Sequence, residues 1–311
     1  MIEILQIFLQ ILIFSVILLF PFGPKNLNLF FKSYQYSLFD VMSLNIVIHL
    51  TLYLIISFLN FDLRILFFIL FTLAIITLFF NASSYRNLIL KQNYFLEVVF
   101  FTAFVIILFF DIASNLKLEW DGQALWIYKA LNFYNLNSFS DLKNTPLNSY
   151  PHLGPFIWGF FWKNSFLNYE YLGRLIVPFI YLISIFSVLD LFKTSKIKKF
   201  ALMIFFIVLT YDLYLFAGYQ EYLVFSLVLI FAKYFYLSLE KKEKNNYLIF
   251  IFLLIINLII WSKQEGTFFV LILSFLLVLF LNIALNKKVI FCLLTLFFIL
   301  INFYIFQLYI G

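Results

Sequence analysis

The sequence predicts an all-α integral membrane protein, and three observations carry that expectation. Hydrophobic residues make up 65% of the 311-residue chain and charged residues only 12%. The mean hydropathy is +1.04, far above that of a soluble core protein, and the apolar residues fall in runs of about twenty, the length that crosses a bilayer as a helix. The positive residues lie between those runs, where orientation signals belong, so the net charge of +6 does not point to nucleic acid. Forty-seven Phe residues reflect a biased composition, and single Phe or Asn residues are weak signals. The lone Cys292 lies in an apolar run, which excludes an intrachain disulfide.

The apolar runs place about ten transmembrane helices, roughly at 2–20, 41–59, 63–80, 95–113, 171–192, 200–217, 220–238, 246–262, 267–286 and 289–309. The first lacks a positive leader and a small-residue cleavage site, so it is kept as a span rather than a signal peptide. Positive residues cluster at Lys25 and Lys32, at Arg86 and Lys91, at Lys193, Lys196, Lys198 and Lys199, at Lys241, Lys242 and Lys244, and at Lys287 and Lys288. Strict alternation puts all these loops on the cytoplasmic face and both termini outside. The opposite face carries Asp121, Asp141, Glu170, Asp212, Glu221 and Glu265. That solution requires segment 114–170 to be a large outer loop that does not cross. Its amphipathic stretch repeats Trp120, Ala124, Ile127 and Leu131 at helical spacing. It is expected to lie in the interface, with Trp120, Trp126 and Tyr128 at headgroup depth. Tyr150 to Phe166 is expected as a surface-lying or re-entrant helix. If 153–168 spanned instead, the first four helices would flip and expose the Lys25 and Arg86 loops. No internal repeat or linker is evident, so residues 1–311 form a single polytopic domain.

Four polar islands come out on the outer side: Glu119-Trp120-Asp121-Gly122-Gln123, Tyr150-Pro151-His152, Gly218-Tyr219-Gln220-Glu221 and Lys263-Gln264-Glu265-Gly266. Asp121 is placed to N-cap a helix beginning at Gly122. With Glu119 it also forms a carboxylate pair whose mutual repulsion would raise one pKa toward that of a base. Lys129 has the position of a snorkelling interfacial lysine. His152 is expected at the membrane surface, as a donor to phosphate or sugar hydroxyls. His49, inside a span, is expected to be hydrogen-bonded between helices. Tyr150 and Pro151 start a helix. Glu221 sits at a helix N-terminus, where the dipole favours an acid. The tight turn at 263–266 holds a cation and an acid that turn chemistry does not require. Arg174 is four residues from Glu170, a pairing distance on a helix, and otherwise faces a lipid phosphate.

The order of these clusters resembles the multi-span GT-C glycosyltransferases, the group that includes protein O-mannosyltransferases and aminoarabinose transferases. The likeness rests on the Trp-Asp at 120–121, Trp126-Ile127-Tyr128-Lys129-Ala130, Tyr150-Pro151-His152-Leu153, Gly218-Tyr219-Gln220-Glu221 and Lys263-Gln264-Glu265-Gly266, and covers roughly residues 111–270. It implies sugar transfer from a polyprenyl-phosphate-linked donor to a lipid, glycan or protein acceptor, outside the plasma membrane of a bacterium. Carried over by position, Asp121 or Glu119 is the catalytic base. Lys263, with Arg174 or His152, holds the departing phosphate, while Glu221 and Glu265 orient sugar or acceptor. Gln220, Tyr150 and Lys129 complete the expected substrate-binding set. Some members use a divalent cation at the acids; this sequence has carboxylates but no compact ligand motif, which leaves metal use open. Many members continue into further helices or a soluble domain, so the end at Gly311 leads to an expectation of reduced acceptor recognition or of a partner that supplies it. The rivals are a transporter or lipid flippase, which calls for charges at mid-depth, another envelope-polysaccharide enzyme, and a noncatalytic membrane subunit.

Overall fold

The structure, a computed structural model, describes residues 2–29, 36–91, 94–136, 138–192, 196–212, 216–241, 246–281 and 284–309. Lys32, Lys193, Lys242 and Lys244 lie outside the described residues. Every regular element among the described residues is helical. The major helices are α1 (Ile2–Ile17), α2 (Leu38–Ser57), α3 (Leu63–Lys91) and α4 (Phe95–Ser114). A π-helical turn, Gly122–Trp126, then leads into α5 (Ile127–Tyr134), which is followed by α6 (Leu153–Lys163), α7 (Glu170–Arg174) and α8 (Ile176–Leu189). The last five are α9 (Lys196–Thr210), α10 (Glu221–Lys241), α11 (Asn246–Ser262), α12 (Gly266–Phe280) and α13 (Leu285–Phe303).

Among the described residues, six stretches are long and apolar enough to cross a membrane: Leu38–Ser57, Leu63–Ile89, Phe95–Ser114, Glu170–Leu189, Glu221–Glu240 and Leu285–Phe306. Ile4–Ile17, Tyr247–Ser262 and Gly266–Phe280 are apolar but shorter. The break between α7 and α8 has a covalent cause. Pro178 has no N–H to give the carbonyl of Arg174, so the ladder is interrupted there.

Burial separates the helices into a centre and a periphery. α8 packs against α10, α2, α4 and α9, and α11 packs against α10, α12, α13 and α2. The Glu170–Leu189 stretch is 89% buried, whereas Leu63–Ile89 and Leu285–Phe306 are 22% and 17% buried. Those outer helices expose Phe68, Phe79, Phe80, Phe297 and Phe303. A contiguous apolar surface of this kind is the face a bilayer covers.

Polar residues within the bundle close backbone accounts. α1 ends at Ile17 and leaves carbonyls without helical donors. His49 Nε2 lies 3.0 Å from Ile17 O and 2.8 Å from Phe20 O, and Asn45 Nδ2 donates to Leu18 O (2.9 Å) and Phe22 O (3.0 Å). His49 is thus the interhelical hydrogen-bonding residue expected of it. At the start of α2, Ser37 and Asp40 form a capping box.

The spans are not as free of charge as the sequence suggested. The second oxygen of that same Asp40 accepts from Lys233 of α10, and both residues are fully enclosed. Lys233 also donates to Ser187 O (2.5 Å) and lies 2.9 Å from Ser187 Oγ. Of the two readings for 150–166, the surface-lying one does not hold: Leu153 through Phe161 of α6 are all buried, packed against α2, α3, α5, α7, α8 and α11. Its 11 residues, about 16 Å at the α-helical rise, are too short to cross.

Candidate functional site

The four polar islands meet at one end of the bundle, joined by direct contacts. Glu119 N donates to Ala217 O at 3.0 Å, which ties the first island to the third. Beside that bond the backbones of Gly122 and Gly218 touch. A Cβ on Gly122 would stand 2.5 Å from Ala217 O, and Gly218 has φ +109°, a conformation side chains rarely adopt. The second island enters through Gly154, whose bare Cα leaves room for the Gln220 carboxamide; a Cβ there would meet Gln220 Oε1 at 1.6 Å. The fourth island is held by Gln264 Nε2, which donates to Ser149 O at 3.0 Å.

This seam sets the charged groups. The helix begins two residues earlier than expected, at Trp120. Asp121 has helical backbone angles and makes no capping bond, while Glu119 O accepts from Gln123 N at 2.8 Å. The Asp121 carboxylate is therefore not spent on the backbone. Lys263 donates to Glu221 Oε1, and Glu221 Oε2 is buried without a hydrogen-bond partner. Burial pushes the Asp121 carboxyl above the usual aspartate range; the Lys263 charge opposes this, and the Glu221 and Glu265 charges add to it. Burial works against the charge on Lys263. The Glu221 hydrogen bond and the charges of Glu221, Glu265 and Asp121 outweigh it and hold the amine above the usual lysine value.

An apolar groove opens from this cluster. It encloses about 400 Å³ between α10 and α12, with Glu221, Lys263, Glu265 and Gly266 at its polar end and Val224, Phe225, Val228 and Phe269 along its walls. Residues 221, 224, 225 and 228 recur on one face of α10, so the apolar walls run down the helix for about 10 Å from the charged end.

The other expected site residues are placed differently. The Glu119 carboxylate pairs with Lys117 at 3.6 Å, and the groups acting on Asp121 are Glu221, Glu265 and Lys263 rather than Glu119. Lys129 does not snorkel. It is fully buried, donates to Tyr150 O at 2.5 Å and Asn148 O at 3.3 Å, and burial lowers its pKa to about 7. His152 is not at the surface either. Its Nε2 lies 2.6 Å from Ser57 Oγ, and the ring sits among Phe58, Phe133, Phe139, Trp261 and Phe306. Burial, with the Lys129 charge adding, holds that ring well below the usual histidine value. Arg174 pairs with Glu170 at 2.9 Å, as the spacing predicts, and gives Nη2 to Leu116 O at 3.3 Å. Tyr150 packs edge-on against Trp126, which is fully buried within the protein. Trp120 and Leu131 are exposed on α5 and its leading turn, with Ala124 and Ile127 half-buried, so the stripe expected to meet the bilayer does face outward.

Sequence reasoning did not single out Gly122, Gly154 or Gln264 as joints of the site, nor the Val224–Phe269 walls. Among the described residues, no three His, Cys, Asp or Glu side chains gather as a metal-ligand group. No family model, curated protein or solved structure matches this chain.

Proposed function

We propose that this chain is a polytopic glycosyltransferase of about ten spans in the inner membrane of a bacterium. In this reading its site faces outside, and it transfers a sugar from a polyprenyl-phosphate donor with inversion. The observation that carries the reading is a carboxylate with a raised pKa, Asp121, beside the Lys263–Glu221 pair at the polar end of an apolar groove. A lipid-linked sugar phosphate has an apolar tail, an anionic phosphate and a polar sugar in that order. The groove walls suit the tail, and Lys263 with the acids at the polar end suits the phosphate and the sugar.

The leaving phosphate needs no general acid. Asp121 takes the proton of the acceptor hydroxyl while that oxygen forms its bond to the anomeric carbon. The bond from that carbon to the phosphate oxygen breaks on the opposite face, and the phosphate departs with the electron pair. Lys263 stabilises the growing phosphate charge, and Glu221 and Glu265 orient hydroxyls. No step is routed through a metal. A transporter gains one observation, the Asp40–Lys233 pair inside the bundle, but Ser43, Ser187 and Tyr234 close around it.

The test is sugar transfer in membranes with Asp121→Asn. We expect a loss of about 100- to 10,000-fold, the usual share of a general base, with the protein still folded; unchanged turnover removes Asp121 as the base. Lys263→Ala should mainly weaken donor use, and normal donor affinity would end its phosphate role.

A further inference from the structure

A second cavity of about 400 Å³ lies between α5 and the 3₁₀ segment Phe139–Asn144. Its lining is mostly polar: Tyr128, Asn132, Asn135, Asp141, Asn144 and Thr145 contribute beside Leu131 and Pro146, and no Lys or Arg does. We infer that this cavity is a binding site for a neutral saccharide. Three carboxamides and two hydroxyls, of which Thr145 Oγ1 already donates to Leu142 O at 2.6 Å, present donors and acceptors side by side, which suits hydroxyl groups that are themselves both donor and acceptor. Asn132 Nδ2 is used on Ser138 O at 3.2 Å, which leaves its carbonyl oxygen as an acceptor. The side chains of Asn135 and Asn144 make no hydrogen bond among the described residues. Asp141 Oδ2 accepts from Ser138 N and Oγ, and those bonds hold its carboxyl below the usual range; it is an acceptor at neutral pH. The exposed ring of Tyr128 offers a flat face for the C–H side of a sugar ring.

The chemistry excludes other ligands. A phosphate would need a cation in the lining. A metal ion would need more than one half-committed carboxylate, and an acyl chain would need apolar walls. The segment is also held by its backbone. Leu136 (φ 62°) and Leu147 (φ 46°) bracket it in the left-handed region, where a branched side chain is strained and persists only when the surroundings fix it.

Tyr128 lies seven residues beyond Asp121 on a continuous helical stretch, about 10 Å along its axis. A chain of two or three sugar rings spans that distance. The cavity is then the site for the outer rings of a glycan acceptor, a placement that rests on the transferase reading, whereas saccharide binding itself rests only on the lining.

The experiment is saturation-transfer NMR on the purified full-length chain in detergent. Its probes are lactose, cellobiose and chitobiose, with glucose 6-phosphate as the anionic counterpart. We expect a neutral disaccharide to receive saturation, at least tenfold less in Tyr128→Ala and in the Asn135→Ala/Asn144→Ala double variant, and equally in Asp121→Asn. No signal at roughly 10 mM, the weakest range worth assigning, overturns the site. So does a signal that survives both cavity variants, or a preference for the phosphorylated sugar. If Asp121→Asn abolishes transfer while the cavity variants leave acceptor KM unchanged, the saccharide site falls and the transferase stands. Disaccharide binding without any transfer activity leaves the site and removes the enzyme.

Discussion

Asp121 is the residue whose surroundings make a quantitative demand. Its pKa is raised by burial and by Glu221 and Glu265, and held back by Lys263. A base works when deprotonated, so transfer should rise with pH through this raised value. Glu221→Gln removes a repelling charge and should move the acidic limb of the kcat/KM profile to lower pH. Lys263→Met removes the attracting charge and should move it to higher pH. Shifts in the opposite sense would show that Asp121 is not the titrating group. Stability follows the linkage sign for a carboxyl whose folded pKa is raised: its contribution is present at low pH and lost as pH rises through the folded value. Asp121→Asn should therefore not lower the unfolding midpoint at neutral pH, so lost transfer in that variant is not lost folding. Asp121, Glu221 and Lys263 were legible because charges at the ends of apolar runs are costly to place there without a use. Lys129 and His152 were misplaced because burial of a polar side chain between helices leaves no local mark; Lys129 looks like any lysine on an amphipathic helix.

The contacts between elements are where pattern reasoning stops and packing decides. Apolar run length located the helices, and the Trp120–Leu131 stripe fixed the outward face of α5. Run length did not show that α6 is packed inside the bundle, since a surface-lying and a buried short helix share the same composition. Nor did it show why Gly122 and Gly154 are glycines. The two joints differ in kind, and substitution should tell them apart. At Gly122 a methyl would meet a carbonyl of the backbone, Ala217 O at 2.5 Å, which cannot turn away. Gly122→Ala should cost about 1–3 kcal/mol and separate Asp121 from Glu221, lowering transfer as well as the unfolding midpoint. At Gly154 the methyl would meet the end of the Gln220 side chain. Gly154→Ala should be destabilising alone and largely rescued by Gln220→Ala, a coupling read from thermal unfolding of the four forms. Additive effects would mean that the two islands do not touch there.

Across the whole bundle, a surface-facing reaction site and a conduit make opposite demands on the buried charge. Asp40, Lys233, Ser187, Ser43 and Tyr234 join α2, α8 and α10 far from the polar islands, and both ionised members are fully enclosed. The Lys199 pairs with Glu97 (2.9 Å) and Asp190 likewise lie at the end opposite the islands, the end at which Asp40 sits in the first turn of α2. A lone lysine in an apolar run reveals its cost in the sequence, but not its partner almost two hundred positions away, which only the fold supplies. Removing one member strands the other: Lys233→Met should destabilise the chain by about 3–5 kcal/mol. Replacing both, Asp40→Asn with Lys233→Met, should recover most of that loss, since a buried pair and a neutral, well-packed substitute are often close in free energy. If the pair only fastens three helices, the double variant should then transfer sugar at nearly the parent rate per folded molecule. If the pair lies on a path for ions or lipid head groups, restored folding will not restore activity. Measuring unfolding midpoint and turnover together on the single and double variants therefore separates a structural fastening from a transport element, and loss of turnover in a well-folded double variant would shift the reading to the transporter.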